Sequence, residues 1–124
     1  MSDDLVAFLK ARLDEDERAA RRAGDSFRQI GETGVIVATE GDRAEECASA
    51  NWAGIAEHIV RHDPARVLAD IEAKRELLAD YERFVAERRR MMGGWDSYPA
   101  VSPVLAAFAA VYADHPDYRY DWRP

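Results

Sequence analysis

The dipeptide Asp63-Pro64 restricts the fold more than any other feature of this sequence. Aspartate before a helix accepts hydrogen bonds from its first free N–H groups. Proline at the first helical position has a φ already suited to the helix and no N–H to waste. A long apolar stripe follows: Val67, Leu68, Ile71, Leu78, Tyr81, Phe84 and Val85, interrupted by Lys74. Arg88-Arg89-Arg90 then complements the negative end of the helix dipole. The spacing predicts the longest helix of the chain over residues 63–90.

The N-terminal segment, residues 1–24, reads as a helix. Ser2 is placed to cap it, Asp3 and Asp4 suit its positive end, and Leu5, Phe8, Leu9 and Leu13 form one apolar face. Residues 25–40 change period. Two short runs, Phe27–Ile30 and Val35–Thr39, flank Gly31-Glu32-Thr33-Gly34 and predict a β-hairpin. Such a hairpin needs a third strand or a helix to pack on. A second helix is expected over residues 42–62, with Trp52, Ile55, Ala56 and Ile59 on one face. Residues 91–102 read as a loop, 103–113 as a short alanine-rich helix opened by Pro103, and 114–124 as an aromatic tail. In that tail Tyr118, Tyr120 and Trp122 alternate with charged residues. It is either a third strand beside the hairpin or an irregular segment clamped by its rings.

These elements add up to one α+β domain, mainly helical, with a small antiparallel hairpin. A chain of 124 residues is the size of one ordinary domain. The expected core comprises Phe8, Leu9, Leu13, Trp52, Ile55, Ile59, Val67, Leu68, Ile71, Leu78, Tyr81, Phe84 and Leu105. The formal charge of −7 argues against nucleic acid as a partner. No apolar run approaches the roughly 20 residues of a membrane span. The single cysteine, Cys47, and an N-terminus without a basic, then apolar leader favour a cytoplasmic setting.

Three blocks carry a resemblance to a known family. They are Leu5–Leu9 with Ala11–Glu17, His58–Leu68 with Ile71–Arg75, and Tyr112–Tyr118 with Trp122–Pro124. In this order they resemble a family of small actinobacterial and actinophage proteins defined by a domain of unknown function. The resemblance implies a cytoplasmic protein of that origin and implies no activity.

Chemistry has three candidate locations. His58 and His62 stand four apart, so their rings share a helix face. With His115 and Asp117, should the tail fold back, they are candidate ligands for zinc or another divalent ion. The preferred reading is plainer: Asp63 caps a helix and the histidines hydrogen-bond locally. Asp14-Glu15-Asp16-Glu17, with Glu72, Glu76 or Asp80 opposite, resembles a carboxylate cage for Mg²⁺, but is read as a solvated face paired to Lys10, Arg18 and Arg21. Met91, Met92, Trp95 and Tyr98 cluster near glycines, a composition suited to an adaptable protein-binding surface.

No serine sits in a nucleophile elbow and no glycine-rich phosphate loop is present. The sequence therefore favours a non-catalytic binding or accessory module that engages a protein partner or itself. No cofactor is expected. The alternatives are a small metal-dependent hydrolase built on the histidines, or a structural homodimer that uses the exposed side of the long helix.

Overall fold

The computed structural model describes residues 2–93 and 101–124. In chain order the elements are α1 (Ser2–Arg22), β1 (Ser26–Gln29), β2 (Val35–Glu40), β3 (Arg43–Ser49), α2 (Ala53–Arg61), α3 (Pro64–Met92) and α4 (Pro103–Ala109). Short 3-10 turns follow at Ala110–Tyr112 and Tyr120–Trp122. The architecture is α+β and mainly helical, as the sequence predicts. Two compact units are built from it. One combines Met1–Asp14 with Ala73–Pro124, and the other is Glu15–Glu72. The helices α1 and α3 each contribute to both.

The first unit is helical. Leu5, Val6, Phe8, Leu9 and Leu13 from α1 are buried, as are Leu78 of α3, Leu105, Ala106 and Ala109 of α4, and Trp122 of the tail. Ser102 and Pro103 start α4 by the same logic as Asp63-Pro64: the buried Ser102 hydroxyl accepts from Leu105 N at 3.4 Å. The tail is not a strand. It turns back through Tyr120–Trp122 and inserts its last tryptophan into the core.

The second unit holds the sheet, an antiparallel meander in the order β1-β2-β3. The expected hairpin of β1 and β2 is present, with Ser26 opposite Thr39 and Gln29 opposite Ile36. Gly34 closes on the chain that leaves β3: Ala50 N donates to Gly34 O at 2.7 Å. Ile36 and Val37 are buried, together with Ala20, Ala56 and Ile71. The helix α2 packs on β1 and β2.

The third strand corrects the expectation of a helix over 42–62. Only Ala53–Arg61 is helical, and Arg43–Ser49 pairs with β2 instead. Gly41-Asp42 is the whole connection. Gly41 has φ 59° and Asp42 a negative φ, the arrangement of a two-residue type II′ turn. Such turns match the twist of a hairpin, and this one fixes Glu40 opposite Arg43. The register then shifts between Ile36 and Val37, which leaves Cys47 as the extra residue of a β-bulge on the exposed strand.

The shorter α2 also corrects the core. Trp52 precedes the helix in extended conformation and is 64% exposed, because the helical phase that would bury it has not begun. Ile59 and Phe84 are exposed as well. On α3 Ile71 and Leu78 are buried and Val85 is half-buried, and Phe84 lies about a third of a turn away from Leu78.

Candidate functional site

The junction between α2 and α3 is built by Asp63. One carboxylate oxygen accepts from Arg66 N at 2.9 Å and so caps α3. The other accepts from Phe27 N at 3.1 Å and so ties the start of α3 to β1. One side chain thus satisfies a helix donor and a strand donor at once. Asp63→Ala is expected to cost about 1–2 kcal/mol of stability. Asp63→Asn, which keeps an acceptor, is expected to recover about half. Denaturant titration checks both, and a loss in Asp63→Ala below about 0.5 kcal/mol contradicts the dual role.

His62 caps the end of α2 from the other side. Its Nδ1 lies 2.8 Å from His58 O. A carbonyl oxygen only accepts, so Nδ1 carries the hydrogen and, in the neutral ring, Nε2 carries the lone pair. The His58 and His62 rings stand 4.5 Å apart at 43°, and both residues are exposed. The i,i+4 spacing therefore brings these two together, as expected from the sequence.

His115 and Asp117 belong to the first unit, where a different arrangement holds them. Phe8 is the centre of a ring cluster: Tyr112 at 6.2 Å, His115 at 5.6 Å, Tyr118 at 6.0 Å and Trp122 at 5.0 Å between centroids. The contacts to Tyr112, His115 and Tyr118 are edge-to-face, which sets the positive rim of one ring against the negative face of another. The buried Arg12 lies over Phe8 at 5.1 Å and places Nη1 2.9 Å from His115 Nδ1. Asp117 N donates to the same Nδ1 at 3.0 Å. Two donors converge on one nitrogen, so Nδ1 is the acceptor and the ring hydrogen sits on Nε2. His115 here acts as an acceptor that seats a buried guanidinium. Among the described residues, no three His, Cys, Asp or Glu side chains gather where they would hold a metal ion.

The acidic segment of α1 pairs with arginine. Asp14 meets Arg75 at 2.7 Å, and Glu17 meets Arg21 at 2.9 Å. Asp80 meets Arg83 at 2.6 Å. Lys10 pairs with Glu82 on α3 at 2.9 Å rather than with its own helix. These are exposed pairs, each contributing at most about 1 kcal/mol.

From Leu77 onward, α3 carries several exposed large apolar side chains. Leu77 is 48% exposed, Phe84 44% and Met91 74%, and Met92 is exposed beside it. Leu77, Phe84 and Met91 recur every seven residues, so they lie in one row along the helix. Ala73, Glu76, Leu77, Ala79, Asp80 and Arg83 line an open groove of about 530 Å³ on this side. Arg88 stands over the Phe84 ring at 5.6 Å. Met91 and Met92 are exposed at the C-terminal end of α3. Trp95 and Tyr98 lie outside the described residues. Leu77 was not singled out from the sequence, although its seven-residue relation to Phe84 and Met91 is visible there.

Comparison with known proteins adds the family. The model of a family of unknown function, DUF6221, matches residues 2–124, and the chain belongs to that family. No curated protein matches. No solved structure matches. Among the described residues, no helix is long and apolar enough to cross a membrane.

Proposed function

We propose that this DUF6221 member is a non-catalytic association module, and that the exposed row on α3 is the surface through which it binds protein. The observation that carries this reading is the row itself. Three large apolar side chains, Leu77, Phe84 and Met91, stand in line on one helix and remain at least two-fifths exposed. Scattered apolar residues on a surface need no explanation, but a row of large ones on one helix, starting beside a groove, suits an interaction site. Methionine at the end of the row suits a surface that adapts to its partner. A cytoplasmic setting, which keeps an exposed thiol such as Cys47 reduced, fits the same reading.

If the row serves binding, the fold does not depend on its apolar character. Leu77→Ser with Met91→Ser is expected to change stability by less than about 1 kcal/mol, because each side chain already gives much of its surface to water. Chemical denaturation checks this. A loss of 2 kcal/mol or more (roughly that of a core position) would assign the row to the protein's own packing and remove the proposal.

A further inference from the structure

The partner of this face is a second copy of the chain. We infer that α3 pairs antiparallel with α3 of another molecule, across a two-fold axis passing close to Asp80 and Tyr81. This deepens the association reading and rests on it.

The argument starts from the row. Leu77 and Phe84 are separated by seven residues, about 10.5 Å along the helix. In an antiparallel pair centred midway between them, Leu77 of each copy faces Phe84 of the other. Both exposed side chains are then covered by one contact repeated twice, the self-complementarity that a two-fold interface requires.

Charge selects the same centre. Glu76 and Arg83 lie about 20° apart around the helix, on one flank of the row. In an antiparallel pair like flanks meet, so Glu76 of one copy comes beside Arg83 of its partner, offset by about 3 Å along the axis. Long side chains span that offset. In a parallel two-fold pair opposite flanks meet instead, so Glu76 and Arg83 of one copy lie across the seam from those of the other and do not pair. Antiparallel pairing about this point covers Leu77 and Phe84 and brings Glu76 beside an opposite charge.

Asp80 limits the affinity. The axis brings the two Asp80 carboxylates near each other, each already paired to its own Arg83 at 2.6 Å. A single helix pair of this length falls below the roughly 1,000 Å² that stable interfaces clear. The dimer is therefore weak, with Kd on the order of 100 µM, and weakens in salt.

The test uses two charge reversals at exposed positions of the full chain. Glu76→Arg places arginine at both flank positions, and Arg83→Glu places glutamate at both. Each variant alone is expected to dimerise about tenfold more weakly than the wild type in sedimentation at low ionic strength. An equimolar mixture of the two is expected to recover association, because every flank contact is again between opposite charges. Circular dichroism confirms that both variants fold. A wild type that stays monomeric at several times 100 µM overturns the inference. So does a mixture no more associated than its components. In either case a heterologous protein cross-linked at Leu77 would leave the association reading standing and remove only the second copy as its occupant.

Discussion

Trp122→Ala is expected to destabilise the protein by about 3–5 kcal/mol. The residue is 2% exposed, lies 5.0 Å from Phe8 and meets Tyr118 at 5.8 Å edge-to-face. Removing it leaves a cavity against Phe8, the ring that also faces His115 and carries Arg12. The loss is a large share of the roughly 5–15 kcal/mol that holds a typical domain. Trp122→Phe is expected to cost much less, about 1–2 kcal/mol, since the indole Nε1 makes no hydrogen bond among the described residues and the ring contacts survive. Tyr120 is the control. It is 75% exposed, with Arg123 at 3.5 Å over its ring, and its replacement by alanine is expected to cost less than about 1 kcal/mol. Denaturant melts of the three variants check the order. A Trp122→Ala loss near that of Tyr120→Ala would mean that the tail does not belong to the core.

Gly34→Ala is expected to cost about 3 kcal/mol, the largest effect of any single methyl added to the sheet unit. A Cβ at this position would stand 2.0 Å from Ala50 O, and backbone cannot swing aside as a side chain does. The same two residues share the 2.7 Å bond that closes the sheet, so relief of the clash breaks the bond. Gly31 offers the contrast. It has φ 56° but nothing within 4 Å of an added Cβ, so alanine there costs only the left-handed strain, about 1 kcal/mol. Equal losses at the two glycines would show that conformation, and not close approach, sets the requirement at Gly34.

The long helix was legible in the sequence because its start is local chemistry. Asp63 and Pro64 act within one turn, and the apolar spacing after them needs no distant information. The hairpin of β1 and β2 was legible for the same reason, through β-branched residues around a glycine loop. The strand β3 was not. Arg43–Ser49 is rich in alanine and glutamate and exposed along its whole length, so no inward-facing alternation marks it. Its state is decided by pairing with β2, and the local signal was the two-residue Gly41-Asp42 turn. Charged side chains on this edge also discourage further strands from adding to it.

Of the site, the His58–His62 pair followed from helical spacing alone. The seat of His115 did not, since Arg12 lies 103 residues away in the chain. Phe84 shows a different limit. Its apolar character placed it in the expected core, yet a helix as long as α3 has apolar residues on more than one side. Periodicity identifies such rows without saying which one faces inward. Leu78 faces the core, and the row through Leu77 and Phe84, the one proposed for association, stays exposed.

That assignment is tested most directly by photo-cross-linking in the native cell, with a photoreactive residue at Leu77 and a control at Glu45 on β3. The account predicts protein adducts at Leu77, absent from the Glu45 control and competed away by excess unmodified protein. Adducts at Leu77 no stronger than those at Glu45 would contradict it, and the exposed row on α3 would then have no part in association.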